Sequence, residues 1–589
     1  MKRIFMLLWF ISALAGATNY YVKNGGNDGA AGTSDGTAWE TITKVNSFWS
    51  AGSFAPGDTI FFNKGDEWRG SIYVLEPGTS GSHITIASYG TGAKPLIMGS
   101  KEENSTGDWI DQTGNIWKNT DASFSVGVGN LIFNGEALIG HKEGTLGEVG
   151  VQGEWFWNEG EKAVYLYSVG NPATFYSDIE CALNTNEGVI YLSSRDYITI
   201  DSLDLRYGGV HGVRGTSNND IIVRNCDISY MGGAESGGAS LRYGNGIEIY
   251  RSSENILFER NKIDNCYDAG ITTQYQENED PYTCSGSIRF NLISNCEYGY
   301  ELFQRSINSI VGPLYIQNNT FANSGHGWSH DQRPDEVQGH DIRLAGLTGT
   351  VVGVYIRNNI FYNSADECIY TYDNLSQYTI DYNLYYPNGQ PYGSILTTDY
   401  NTLAAWQTAI DNEENAVDGD PVFVTPITDL NLQVTSPAIA EALGAGYIYD
   451  YAGNLMNDPP DIGAYAYDAD PPPAPPDLPE VITVAATVLW AKGVTSGGSG
   501  ITDGGGTVSA KGVCYSTSAN PTTADAKEPG GIGTDDFVVT IAGLARSTTY
   551  YLRAYVTNET GTSYGSNIII TTPATSTFTS GGKYVEGIK

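Results

Sequence analysis

From Tyr20 to Tyr465 the chain is built of short runs in which apolar and polar residues alternate, and between residues 225 and 390 these runs fall into phase with asparagine. Asn225, Asn261, Asn291, Asn319, Asn359 and Asn383 recur at intervals of 36, 30, 28, 40 and 24 residues. Most open the pattern Asn-x-(Ile/Phe)-x-Asn, as in Asn261-Lys-Ile-Asp-Asn265, Asn291-Leu-Ile-Ser-Asn295, Asn319-Thr-Phe-Ala-Asn323 and Asn359-Ile-Phe-Tyr-Asn363. One amide and one apolar residue at fixed offset, over a repeat of this length, predict a solenoid whose coils stack on one another. An amide both donates and accepts, so a column of equivalent asparagines can hydrogen-bond along the stack. The pattern therefore predicts an all-β chain whose main body is a parallel β-helix.

Other segments depart from this rhythm. Tyr20-Tyr21-Val22 and the helical spacing of Trp39, Ile42, Val45 and Phe48 predict a cap over one open end of the solenoid, where strand edges and core side chains need cover. Residues 101–180, with Trp109, Trp117, Trp155, Trp157 and the alternation Val164-Tyr165-Leu166-Tyr167, predict a small β insertion. Asn401 to Ile410 predicts a short capping helix, and Asp461-Ile462-Gly463-Ala464-Tyr465 a closing strand. The organisation expected is a signal peptide over 1–17, the solenoid over 18–470, a stiff Pro-rich linker over 471–479, a β-sandwich over 480–573 and a tail over 574–589.

Composition narrows the partners. With 31 Lys plus Arg against 67 Asp plus Glu the net charge is −36, which repels phosphate backbones and anionic lipid and excludes nucleic acid. Met1-Lys2-Arg3, the apolar run Ile4–Leu14 and Ala15-Gly16-Ala17 have the form of a secretory signal, too short to span a bilayer; the expected product is a secreted or cell-surface monomer with no membrane insertion. Seven cysteines leave at least one without an intrachain partner. Cys266 and Cys296 follow equivalent asparagines and are expected to lie one above the other, as a disulfide or as stacked thiols in a core large enough to need no staple.

The Tyr20-Tyr21-Val22 opening with its Gly/Asn/Asp loop, the strand start Pro56-Gly57-Asp58-Thr59-Ile60, the Asn-x-Ile-x-Asn coils and the Asp461-Ile462-Gly463-Ala464-Tyr465 ending resemble the right-handed parallel β-helix superfamily typified by pectate lyases. The segment around Trp155-Phe156-Trp157 resembles an insertion of several β-helix glycosidases, and Leu544 with Tyr550–Asn558 resembles the tyrosine-corner strand of fibronectin type III modules. The resemblance implies secreted carbohydrate chemistry without choosing the bond that is cleaved.

Candidate chemistry follows from using the asparagines as a ruler. Glu301 lies 18 residues before Asn319 and Asp341 lies 18 before Asn359, so the two are expected at equivalent outward positions. The outward column then reads Glu248, Thr272, Glu301, Asp341, with Tyr250, Gln274, Phe303, Arg343 beside it and Arg214 one coil earlier. Two long turns, Tyr230–Tyr243 and Gly325–Gly339, would wall a groove. Stacked carboxylates drive their pKa values apart, as acid/base catalysis requires. Glu301 and Asp341 are expected to form the catalytic pair with Glu248 as modulator or alternate partner. Tyr250, Gln274, Arg343, Trp328, His330, Asp331, Arg305, His340 and Arg242 are expected to bind substrate. The surface reading stands beside this one, because outward acids on an acidic solenoid are mostly solvated.

The expected function is a glycoside hydrolase acting on an extracellular polysaccharide or its oligosaccharides. The alternatives are a polysaccharide lyase, with an Arg base and calcium on a uronate glycan, or a non-catalytic glycan-binding surface protein. Lys262 is the single lysine between Lys162 and Lys492, which weighs against a lyase. No metal site is expected in the His/Asp loop, whose spacing lacks a ligand pattern. No cofactor is required; calcium is possible, and the acidic loop Asp411–Asp420 could supply oxygen ligands for it.

Overall fold

The computed structural model describes residues 17–185, 187–236, 241–275, 282–304, 308–333, 338–345, 349–372, 375–467, 478–490, 493–558 and 560–574, with the side chains of 235–236, 241–242 and 489–490 left aside. Met1–Gly16 of the expected signal peptide, linker residues 471–477 and the tail after 574 lie outside the described residues. The chain divides into two compact units, Met1–Asp468 and Ala469–Lys589.

The first unit is a parallel β-helix. Each turn of the chain lays one strand in each of three long, essentially parallel sheets. One full coil runs through Ser253–Glu259, Lys262–Asp264 and Ala269–Tyr275, and the next through Tyr282–Arg289, Leu292–Ser294 and Tyr298–Gln304, each strand paired in parallel with its counterpart below. Alternate residues turn inward and stack Ile, Val, Leu, Phe and Tyr into a continuous core, with Ile228, Ile263 and Ile293 on one column and Ile249, Thr273 and Leu302 on another.

Between the first and second strands of each coil the backbone turns through a left-handed residue. Asn225, Arg260, Phe290, Asn318, Asn358 and Tyr382 all have φ between 54° and 59°. The residue that follows is the ladder asparagine. The backbone N and Nδ2 of Asn261 both donate to Oδ1 of Asn291 (3.0 and 3.0 Å), and the same pair of bonds joins Asn291 to Asn319, Asn319 to Asn359 and Asn359 to Asn383. The second Nδ2 hydrogen goes to a strand carbonyl, as from Asn291 to Phe258 O (2.9 Å). Asn225 is not a member: it occupies the left-handed position, and Cys226 takes the ladder place, donating its backbone N to Oδ1 of Asn261 (3.1 Å). The ladder ends at Glu413, whose buried carboxyl accepts from Asn383 Nδ2 (2.9 Å).

The second asparagine of the repeat has a different task. Asn265, Asn295, Asn323 and Asn363 sit at the next corner with φ of 52–56°, a conformation that Asn tolerates better than most residues. Their side chains form an outer ladder, with Asn363 Nδ2 donating to Asn323 Oδ1 (2.7 Å). Cys226, Cys266 and Cys296 fill the core behind these strands, and all seven cysteines are buried free thiols.

One end is covered by the helix Ile42–Ser50, capped by Thr41 Oγ1 on Lys44 N (3.0 Å), with Trp39, Trp49 and Phe54 over the core. The other is covered by the helix Leu403–Ile410, whose Trp406 packs on the last coils. Residues 100–183 leave the solenoid as two sheets, antiparallel except where His141–Lys142 runs parallel to Glu154–Asn158, with their own core of Trp109, Phe124, Leu131, Phe133, Trp155 and Leu166. Bidentate Arg69–Glu180 bonds (2.6 and 2.6 Å) anchor the base of this insertion. The second unit has two antiparallel sheets around Val494, Val513, Val539, Leu552 and Val556. Among the described residues no helix is long and apolar enough to cross a membrane.

Removing an inner ladder amide strands the backbone N–H below it in a dry core, at a cost of about 2–3 kcal/mol. Asn319→Ala should therefore lower unfolding free energy by about that much in urea titration, and Asn363→Ala on the outer ladder by less than about 1 kcal/mol. Equal losses would show that the two ladders are energetically equivalent.

Candidate active site on the third sheet

The third sheet fixes which side chains share a column. Arg214 pairs with Glu248, Glu248 with Thr272, Thr272 with Glu301, Glu301 with Arg343, and Arg343 with Tyr370. Glu301 is therefore stacked beneath Arg343, and Asp341 pairs across the coils with Gly299. The spacing from the asparagines misleads here because six residues separate Phe303 from Ile310, whereas four separate Ala345 from Thr350. The two-residue difference shifts the count by one full inward-to-inward step.

This corrects the expected catalytic pair. Asp341 continues a column occupied below it by Gly212, Gly246, Gly270 and Gly299, at each of which a Cβ would strike an interior Ile or Phe side chain. Its carboxyl points into the core and accepts from Ser324 Oγ (2.8 Å). Burial raises the Asp341 pKa far above the usual carboxylate range. Asp341 therefore does not face the groove. Arg343, expected beside Tyr250 and Gln274, stands instead in the Glu301 column, and Ala345 takes its place next to Phe303.

Two acids of the original column remain. Glu301 is 5 % exposed; it accepts from Arg343 Nη1 (2.9 Å) and from Thr272 Oγ1 (3.2 Å). Burial, aided by the negative charge of Asp268, outweighs Arg343 and pushes its pKa up to about 7. Glu248, two coils below, is 3 % exposed but surrounded by nitrogens: His211 Nε2 at 2.6 Å, Asn245 Nδ2 at 3.2 Å and Arg214 Nε at 3.9 Å. Burial opposes its ionisation, and His211, Arg214 and Asn245 together overcome that opposition and hold the carboxyl at about 2. Asn245 N donates to His211 Nδ1 (3.1 Å), so the neutral imidazole carries its hydrogen on Nε2, the nitrogen that faces Glu248.

The glycine column defines a second outward column one residue earlier: His211, Asn245, Ala269, Tyr298, His340 and Glu367. Spacing from the asparagines missed His211, Asp268, Glu297, Tyr298 and Arg333, which complete the site. Arg333 is 2 % exposed; it donates to Asp268 Oδ1 (2.7 Å) and lies over Tyr267 at 4.8 Å. Glu297 accepts from Gln338 N (2.9 Å), with His330 Nδ1 at 3.2 Å, and burial raises its pKa. The repeated Gly-(Val/Ile/Tyr) steps at 212, 246, 270 and 299 carried the signal that would have found this column.

The remaining expected residues are distributed as follows. Tyr250 and Gln274 share an outward column with Phe303. Trp328 is half-buried, bonded through Nε1 to Asn265 O (2.9 Å) and tilted against Tyr267 at 5.2 Å. Asp331 is exposed. His340 is not a substrate platform: it is 1 % exposed and stacked between Tyr298 (5.8 Å) and Tyr370 (4.7 Å), so neither ring face is free. Arg305 lies outside the described residues, as does the side chain of Arg242. In the acidic loop, Glu413 is committed to the ladder and Asp418 accepts from Tyr392 Oη (2.8 Å). The inserted sheets brace the groove wall: Gln332 bonds Lys142 N (3.2 Å) and Gly140 O (3.1 Å), next to Arg333.

Residues 163–331 match a family model described as a right handed beta helix region, in agreement with the coils above. A lacto-N-biosidase of Bifidobacterium longum subsp. longum is 35% identical over 85 residues, which is 14% of this chain and 5% of that protein; the chain thus spans a small part of the length of this curated relative. Among solved structures, a glycoside hydrolase aligns with 68% of this chain and 99% of its own at 11% identity and a TM-score of 0.39. A structure described as XylC in complex with xylose aligns with 76% of this chain and 98% of its own at 12% identity and a TM-score of 0.37.

An acid whose native pKa is raised stabilises the fold only while it keeps its proton, so its contribution is full below the unfolded value and declines as pH rises. The stability of the wild-type chain should therefore fall with rising pH more steeply than that of Asp341→Asn, followed by denaturant titration from pH 5 to 9. Parallel slopes would place the Asp341 carboxyl in water.

Proposed function

We propose that the chain is a secreted glycoside hydrolase that cleaves an extracellular polysaccharide or its oligosaccharides, with Glu301 as general acid and Glu248 as general base. One observation carries this reading: two carboxylates on one outward column are driven to opposite protonation, Glu301 up to about 7 and Glu248 down to about 2. Glycosidic cleavage needs one carboxyl that gives a proton to the leaving oxygen and one that stays charged to activate water or attack carbon. The 35% identity to a lacto-N-biosidase over 85 residues supports the same class.

The separation favours inversion of configuration. Two coils at about 4.8 Å each put the acids roughly 9–10 Å apart, at the upper edge of the ~6.5–9.5 Å that leaves room for a water between carboxylates. Thr272, the small residue between them in the column, keeps the gap from being filled by a long side chain. Tyr250, Gln274, Phe303, Trp328, His330 and Arg343 offer hydrogen bonds and ring faces to sugar units, with the exposed Asp331 beside them in the loop. Arg214 is paired with Glu187 and lies 3.9 Å from Glu248, and Arg333 and Arg343 are paired with Asp268 and Glu301, so their charge is already opposed and a uronate is a poor fit.

The Met1–Ala17 pattern supports export, and the chemistry calls for no cofactor. We assign the second unit as a fibronectin type III-like spacer or glycan-binding module; its two antiparallel sheets and the bond from Ala545 N to Tyr550 Oη (3.1 Å) support that assignment.

Incubation with neutral and uronate glycans should release reducing ends without the ultraviolet absorbance of an unsaturated product. Glu301→Gln should lower kcat about 10²–10⁴-fold with the fold intact, and wild-type activity should fall above pH about 7 as Glu301 loses its proton. Asp341→Asn should retain turnover. Absorbing products would identify a lyase, and wild-type rates in both Glu301→Gln and Glu248→Gln would remove the hydrolase mechanism.

A further inference from the structure

Beyond the two proposed catalytic acids, the next coil carries a second cluster of ionisable side chains. His340 pairs across the coils with Glu367, and Asp366 is the residue before it. One ring nitrogen of His340 and one carboxylate oxygen from each acid lie within 4.8 Å of one another. The contact from His340 Nδ1 to Glu367 Oε2 is 3.7 Å. That is too long for a hydrogen bond, but close to the roughly 3.4 Å edge between two ligands of a tetrahedral ion with bonds of about 2.0–2.2 Å.

The imidazole is the informative member. It is 1 % exposed, yet neither ring nitrogen has a hydrogen-bond partner; the backbone of Glu367 approaches the ring without reaching hydrogen-bond geometry. A buried imidazole with no partner costs free energy unless something satisfies it. Tyr298 and Tyr370 cover both faces, with interplanar angles of 17° and 6°. They hold the ring plane and leave only its edge, which points at Glu367. Asp366 is half-buried, so the cluster opens to solvent through its side.

We propose that His340, Asp366 and Glu367 form a binding site for a divalent transition-metal ion of the Zn²⁺ class, independent of the proposed acid/base pair. Two carboxylates on one site repel each other, and a dication removes that repulsion while taking the nitrogen lone pair that nothing else uses. One nitrogen and two carboxylate ligands match three-ligand zinc sites, which leave a fourth position for water or substrate. The nitrogen selects against calcium and magnesium, which prefer oxygen ligands. The other such group among the described residues, Glu102, Asp178 and Glu180, lacks this feature because Arg69 and Ser100 already occupy Glu180.

The full chain, stripped by chelator and titrated with Co²⁺ and then Zn²⁺, should take up about one ion, seen as visible Co²⁺ absorption that Zn²⁺ abolishes and millimolar Ca²⁺ does not. Glu367→Gln and the half-buried Asp366→Asn should each weaken binding at least tenfold, while Asp178→Asn should leave it unchanged. Circular dichroism and melting curves establish that each variant is folded. Absence of uptake, displacement by Ca²⁺, or wild-type affinity in folded Asp366→Asn and Glu367→Gln would each overturn the assignment, and none of these readouts depends on turnover.

Discussion

A buried amide that hydrogen-bonds to an identical amide one coil above controls this molecule. Each ladder asparagine joins its backbone N–H and its Nδ2 to one oxygen overhead and spends its other hydrogen on a strand carbonyl. The geometry is satisfied in only one vertical alignment, since a shift by one residue would put an apolar side chain in the amide's place and an amide in the hydrocarbon core. The left-handed residue just before each ladder position turns the chain between the first and second sheets. Coils of different length are thereby pinned to a common origin, and their surplus residues are expelled into turns.

This pinning explains where chemistry can gather. Strand positions repeat from coil to coil, so a column of outward side chains is a line of groups one strand spacing apart, held by a rigid backbone. Arg214, Glu248, Thr272, Glu301, Arg343 and Tyr370 form such a line. Their chemical identities vary freely because the inward residues on either side carry the fold. The expelled turns supply what a flat sheet lacks: the Gly325–Gly339 turn brings Arg333 over Tyr267 and against Asp268, and the inserted sheets hold that turn through Gln332.

Much of this was legible in the sequence. The Asn-x-Ile-x-Asn repeat carries the coil, the stacked thiols and the outward direction of Glu248 and Glu301, because amides and aliphatic residues at fixed offset have few other arrangements. Two readings failed for one reason. Counting from Asn319 and Asn359 assumed equal path lengths through the turn that precedes them, and a two-residue difference in that turn moved Asp341 into the core and Arg343 beside Glu301. The glycines at 212, 246, 270 and 299 lie on the same strand as the acids, with no turn between, so they measure register where the asparagines do not. His211, Asp268 and Arg333 were hidden more deeply, since their roles depend on contacts across coils and turns that carry no common spacing.

The inner ladder also has a direction. Each ladder oxygen accepts from the coil before it, and each amide gives its backbone N–H and one Nδ2 hydrogen to the oxygen of the coil after it, so the last member, Asn383, needs an acceptor, and the Glu413 carboxyl provides one. A carboxyl pushed up to about 8 ends the series where an amide would have continued it. The last coil therefore carries a carboxyl in place of the amide that a further coil, or a second molecule stacked head to tail, would need to extend the series in kind. The amide column thus ends on a single side chain, and the capping helix adds its bulk over the same end of the solenoid.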